Sequence, residues 1–291
     1  MEYLIFVNGF WGGFEDKIDP NHIGFFQDLF LSTKIKNFEF TNNLENANVL
    51  FESVFANSLV KHKNWKYKIH FSGEPTIYPA DNYDIVLHSQ HTHSNIIDLP
   101  LFVSYTYTHN FFDRLLFRPF VNTIPPKFCC FIVSNFKSEP RKKMFEILNC
   151  YRKVDSCGKY ANNIDFIVPW HHSSQEYLQF ISQYKFIICF ENSSKDHYIT
   201  EKIINAYIAG VIPIYWSSHY VKNIFNSDSM LFLEDASNNS CYEYIINRVM
   251  ELDMDDDAYL DMINKPILKS PDFWDEMYSI ESLSEKLNRF L

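Results

Sequence analysis

The chain has 291 residues, of which 46% are hydrophobic and 18% aromatic, and it carries a formal net charge of −10. Such a composition supports a large buried core and excludes disorder as a description of the whole chain, while the length suits two α/β lobes of ordinary size. The negative balance argues against nucleic acid as a partner, so any anionic ligand needs a local cluster of positive groups.

Residues 1–7 are too short and lack the basic flank of a signal peptide, and no apolar run approaches the ~20 residues needed to span a bilayer. The six cysteines, Cys129, Cys130, Cys150, Cys157, Cys189 and Cys241, contain no Cys-x-x-Cys pair and read as small buried hydrophobes of a reducing compartment. A soluble, cytoplasmic chain is expected, and a trimmed catalytic domain of an anchored protein would read the same way.

In chain order, residues 3–7, 49–54, 67–71, 85–88 and 101–105 read as strands, with a helix over 25–31. Alternation of this kind predicts a parallel sheet with crossover helices. Residues 121–127 (VNTIPPK) interrupt the pattern and read as a linker. Beyond it, 128–133 reads as a strand, 140–151 and 174–183 as helices, and 186–190 as a strand. A helix over 200–209 is closed by Gly210. The next strand, 211–216, contains Pro213 and is expected to be irregular or near an edge. Residues 230–233 form a last strand before helical segments run to the end. The architecture predicted is α/β: two Rossmann-like lobes with a ligand cleft between them, residues 1–121 and 122–291.

Two helix starts in the second lobe carry cations where the helix dipole is positive. Ser138 reads as the N-cap of a helix opened by Pro140-Arg141-Lys142-Lys143, and Thr200 as the N-cap of one whose first turn holds Lys202. A diphosphate would resolve both, accepting from free backbone N–H groups and from Arg141 and Lys202 together. Solvated side chains are the alternative, and for Lys142 and Lys143 the simpler account, but two such junctions in one lobe favour a phosphate site. No Gly-x-Gly-x-x-Gly or Gly-x-x-x-x-Gly-Lys-Ser/Thr occurs, which removes dinucleotide-dependent dehydrogenases and Walker-type kinases.

The stretches Phe190-Glu191-Asn192-Ser193, Tyr198-Ile199-Thr200-Glu201-Lys202 and Val211-Ile212-Pro213-Ile214-Tyr215-Trp216 resemble the α-1,3-fucosyltransferases, glycosyltransferase family ten. Val133-Ser134-Asn135 with Arg141, and Phe71-Ser72-Gly73-Glu74 in the first lobe, support the resemblance. It implies a GT-B type fold and an inverting glycosyltransferase that moves L-fucose from GDP-fucose to a hydroxyl of a glycan or glycoconjugate acceptor, with no obligatory metal. It further implies that Arg141 and Lys202 pair with the diphosphate. Ser134, Asn135, Glu191, Asn192, Tyr198 and Glu201 complete the donor site, and Glu74 is the general base. A cleft carboxylate can accept the hydroxyl proton as the anomeric carbon is attacked, and fixed cations stabilise the diphosphate as it leaves. Departures from the family pattern, Ser217-Ser218 after Trp216 and the Lys195-Asp196-His197 loop, leave open a same-fold transferase using another nucleotide sugar. A catalytically silent sugar- or nucleotide-binding protein is the other alternative.

His88, His91 and His93 form a His-x-x-His-x-His group without a partnered carboxylate, read as a polar loop with no metal assigned. The run from Asp253 to Asp257 reads as an acidic helix start. The loop Asn8-Gly9-Phe10-Trp11-Gly12-Gly13 reads either as a sugar-stacking surface or as a hydrophobic turn. Asn192-Ser193-Ser194 is formally an N-glycosylation acceptor inside the donor loop, which fits a chain outside the secretory route.

Overall fold

A computed structural model describes residues 2–19, 21–90, 92–134 and 137–291. It divides into one unit formed by Met1–His109, Lys195–Tyr198 and Pro271–Leu291, and a second formed by Asn110–Ser194 and Ile199–Ser270.

In chain order the first unit contains β1 (Tyr3–Asn8), α1 (Gly24–Leu31), β2 (Phe38–Thr41), β3 (Val49–Glu52), β4 (Tyr67–Phe71), β5 (Ile85–His88), β6 (Ile96–Asp98) and α2 (Leu101–Thr108). The strands form one parallel sheet in the order β2-β1-β3-β4-β5-β6. Every residue of β3 and β5 is buried, as expected of inner strands of a parallel sheet covered on both faces. A cluster of aromatic rings fills one side of it. Phe10 stacks on Phe14 at 4.0 Å and meets Phe51 at 4.7 Å, and Phe26 meets Phe71 at 4.7 Å. Trp11 lies against Phe14 and donates its indole N–H to the Asn21 carbonyl. The Gly-Phe-Trp-Gly-Gly loop thus forms a hydrophobic turn in which Phe10 and Trp11 stay half-buried.

The second unit contains α3 (Phe112–Leu116), β7 (Lys127–Phe131), α4 (Glu139–Tyr151), β8 (Asp155–Ser156), α5 (Gln175–Ile181), β9 (Tyr184–Ile188), α6 (Glu201–Ala209), β10 (Ile212–Tyr215), α7 (Val221–Ile224), β11 (Leu231–Phe232), α8 (Asn239–Met254) and α9 (Asp256–Ile263). Its sheet is also parallel, ordered β11-β10-β9-β7-β8. Gly210 closes α6 in the left-handed region at φ 72°, a conformation that glycine adopts without steric cost. Pro213 is accommodated although β10 is not an edge strand, because β11 pairs with β10 only at Ile214 and Tyr215. Asp255 caps α9 through Ala258 N, while Asp253 turns inward to Arg152 and Lys185. The last helices, α10 (Pro271–Tyr278) and α11 (Ile280–Asn288), return to the first unit.

Three expectations need correction. Residues 101–105 are not a strand but the start of α2, where Phe102, Val103 and Thr106 are buried at helical spacing behind Pro100. The division falls after His109, not after Val121. Arg114 donates to the Ile208 carbonyl at 2.6 Å, and Val121 is held on both its N–H and its carbonyl by Asn264 at 2.8 Å, so residues 110–121 dock on the second unit. The C-terminal residues 271–291 leave the second lobe because Trp274 and Tyr278 pack on Phe102, and the Tyr278 hydroxyl donates to Asp98 at 3.0 Å. Among the described residues, no helix is long and apolar enough to cross a membrane.

Candidate functional site

Ligands of open parallel sheets bind beyond the carboxyl ends of the strands, and the second unit holds a cavity of about 410 Å³ there. Residues following β7 (Ile132, Val133, Ser134), residues following β9 (Cys189, Phe190, Asn192) and the starts of α4 and α6 (Arg141, Glu201, Lys202) line it. Ser138 and Thr200 occupy the N-cap positions as expected, yet neither side chain caps its helix, whereas Ser174, Asn238, Asp255 and Ser279 cap theirs.

Two cations of the cavity, Arg141 and Lys202, are anchored on consecutive residues. The Arg141 guanidinium, 4% exposed, donates through Nε and Nη2 to the Phe190 carbonyl at 3.0 and 2.6 Å. Lys202 Nζ lies 3.1 Å from Glu191 Oε2, 3.5 Å from Glu201 Oε1, and donates to Thr200 Oγ1 at 2.8 Å. Glu191 itself is fully buried. Its Oε1 accepts from Thr200 N, Thr200 Oγ1 and the Tyr215 hydroxyl, at 2.8, 2.8 and 2.9 Å. Lys142 and Lys143 point elsewhere. Lys142 pairs with Glu139, and Lys143 lies over the Tyr242 ring.

Glu201 is 6% exposed and lines the cavity. Burial alone would raise its carboxyl, but Lys202 and His172 beside it hold it below its ordinary value. The remaining wall is residues 158–172, which the sequence reading did not single out. Gly158, Lys159, Ile167, Val168, Trp170, His171 and His172 all face the cavity, with Tyr177 of α5. The one sequence signal was Gly158. A Cβ there would stand 2.3 Å from the Val133 carbonyl oxygen and 2.4 Å from its nitrogen, so only glycine lets this segment pass against the end of β7.

In the first unit, Glu74 is half-buried just beyond β4. Its backbone is fixed on both sides. Glu74 N donates to Ser72 Oγ at 3.2 Å, and its carbonyl accepts from His88 Nε2 at 2.9 Å. His88 Nδ1 accepts from Gln90 N at 3.0 Å, which assigns the proton to Nε2 and the ring to the neutral form. His88 is thus a buried structural residue at the end of β5 rather than part of a solvent-facing loop. His93 contacts Thr92 at 2.9 Å, and no group of three His, Cys, Asp or Glu among the described residues is arranged to hold a metal. His91 and Asn135 lie outside the described residues.

Of the expected donor-site residues, the cavity brings together Ser134, Arg141, Asn192, Glu201 and Lys202. It does not include Glu191, whose carboxylate is enclosed by its own partners, or Tyr198, which is buried and groups with the first unit.

Comparison with known proteins bears on the same region. The pattern of the C-terminal part of glycosyltransferase family 10 (fucosyltransferase) matches residues 125–282. A protein of Acanthamoeba polyphaga mimivirus, also named as a fucosyltransferase, is 28% identical over 247 residues, covering 77% of this chain and 39% of its own. The alpha-(1,3)-fucosyltransferase FucT of Helicobacter pylori is 34% identical over 159 residues, covering 55% of this chain and 31% of its own. The chain therefore spans less than half the length of these curated relatives. A crystal structure of an α1,3-fucosyltransferase with GDP-fucose superposes with a TM-score of 0.72 at 22% identity, covering 99% of this chain and 88% of that one. That likeness is one of fold, and the fold is the GT-B type expected.

Proposed function

Because this chain belongs to glycosyltransferase family 10, the fucosyltransferases, we propose that it transfers L-fucose from GDP-fucose to a hydroxyl of a glycan acceptor, with inversion and without an obligatory metal. The observation that carries the reading is the cavity on which two cations, Arg141 and Lys202, converge from separate helix starts of the second unit.

In this reading the diphosphate meets Arg141 and Lys202 at the starts of α4 and α6. Both contacts become more favourable as the bond to the anomeric carbon breaks and charge collects on the leaving oxygen. The apolar wall of Val133, Ile167, Val168 and Trp170 suits a nucleobase, and Glu201, held ionised by Lys202 and His172, suits sugar hydroxyls. Asn192 and Ser134 add hydrogen-bonding groups to the same wall. The acceptor oxygen attacks the anomeric carbon, Glu74 takes its proton, and GDP departs with the bonding electron pair. A single displacement of this kind inverts the centre. The firmly held backbone of Glu74 gives its side chain a fixed base, which general base catalysis requires.

Calorimetric titration with GDP tests the site. Lys202→Ala and Arg141→Ala should each weaken binding by about 1.5–3 kcal/mol, the range for charge-assisted hydrogen bonds. Unchanged affinity in both folded variants would show that the diphosphate lies elsewhere.

A further inference from the structure

We propose that Glu191 is a positioning residue: it does not meet the donor, but holds Lys202 and the first turn of α6 in the attitude that turns the ammonium into the cavity. The proposal rests on the nucleotide-sugar reading of that cavity.

Glu191 has no exposed surface, yet it gathers donors from three residues on two elements: Thr200 at the head of α6, Lys202 within it, and Tyr215 at the end of β10. Thr200 is the relay. Its hydroxyl donates to the Glu191 carboxylate and accepts from Lys202 Nζ at 2.8 Å, so the ammonium is fixed by the carboxylate directly and through the hydroxyl. This arrangement also accounts for the uncapped helix. A Thr200 side chain committed to Glu191 does not cap α6.

Lysine is a point charge on a flexible stem, and its rotamer freedom is lost on binding unless it has been lost already. Glu191 imposes that loss during folding. A buried carboxylate deprived of its cation is costly, so the pair is maintained when the cavity is empty. The Phe190-Glu191 step thereby sets both cations, Arg141 through a carbonyl and Lys202 through a carboxylate.

A double-mutant cycle on GDP affinity, read with melting temperatures, tests this. Glu191→Gln should weaken GDP about tenfold, while in a Lys202→Ala background it should change affinity by no more than about twofold, because residues acting as a unit are non-additive. Tyr215→Phe removes a Glu191 partner other than Lys202. It should lower the melting temperature and leave GDP affinity within about twofold of wild type. If Glu191→Gln prevents folding, Thr200→Val in the same cycle removes the relay while keeping the carboxylate and the Thr200 N–H. Wild-type affinity in Glu191→Gln, full additivity with Lys202→Ala, or an equal affinity loss in Tyr215→Phe would each overturn the positioning role. Unchanged affinity in Lys202→Ala itself would instead sink the reading of the cavity on which the proposal rests.

Discussion

His70 links the stability of the first unit to pH with a sign and size that follow from its surroundings. It is the fourth residue of β4, fully buried, with Nδ1 at 2.8 Å from the Glu52 carbonyl and Nε2 accepting from Tyr78 N at 3.4 Å. Burial lowers its pKa from 6.5 to about 4, against the Glu52 carbonyl and carboxylate, which favour the charged ring, and with a smaller push from His88 in the same direction as burial. A folded-state pKa below the unfolded one means that the unfolded chain takes up a proton first. The contribution is therefore complete above about pH 6.5 and lost as pH falls towards 4. At about 1.36 kcal/mol per pH unit, the whole interval corresponds to about 3 kcal/mol. Denaturant unfolding of wild type and His70→Gln, from pH 8 down to pH 4.5, isolates this group from the other histidines. Gln should cost stability at pH 8 and then lose less than wild type on acidification, so the curves converge. Curves that remain parallel would refute the argument. A functional corollary follows from Tyr78, whose N–H needs a neutral ring: acid should loosen residues 72–78, which carry Glu74, and reduce transfer before it reduces GDP binding.

Three further outcomes are expected. Glu74→Gln should lower transfer by about 10²–10⁴ while leaving GDP affinity nearly constant, since every residue lining the cavity belongs to the second unit; near-normal turnover would remove Glu74 from the mechanism. Turnover should persist in excess EDTA, with the diphosphate charge met by Arg141 and Lys202, and a complete loss restored by a divalent metal would overturn this. Gly158→Ala places a methyl against the Val133 backbone, so it should cost about 1–3 kcal/mol and weaken GDP; an unchanged melting temperature and affinity would show that the segment has room to move.

The sequence was most readable where local pattern and tertiary outcome agree. Alternating strands and helices announced two parallel sheets, and the strand-helix junctions at Arg141 and Lys202 pointed to one cavity because their charge was anomalous for a helix start. It was least readable where burial decides. Residues 101–105, rich in β-branched and aromatic side chains, become helical because packing on α10 overrides propensity. His88 looks like a member of a metal-binding run, yet its ring is spent on the Glu74 carbonyl. The wall formed by residues 158–172 has no periodicity, and its course depends on one glycine passing against a backbone.

Glu191 and Glu201 show why a motif names residues without assigning their roles. Both are acidic, both flank the same loop, and Lys202 lies within reach of both. Only the enclosure of Glu191 by Thr200 and Tyr215 separates them, since a carboxylate with no exposed surface cannot meet a ligand. The same division recurs in the first unit, where Glu52 at the end of β3 is fully buried among Asn8, Ser58, Leu59 N and Tyr83 while Glu74 beyond β4 is half-buried. In each unit one carboxylate, Glu52 or Glu191, is committed to holding the loop beyond a strand. The loops at the carboxyl edge of a parallel sheet lack strand pairing, and a buried acceptor of this kind fixes the residues they present.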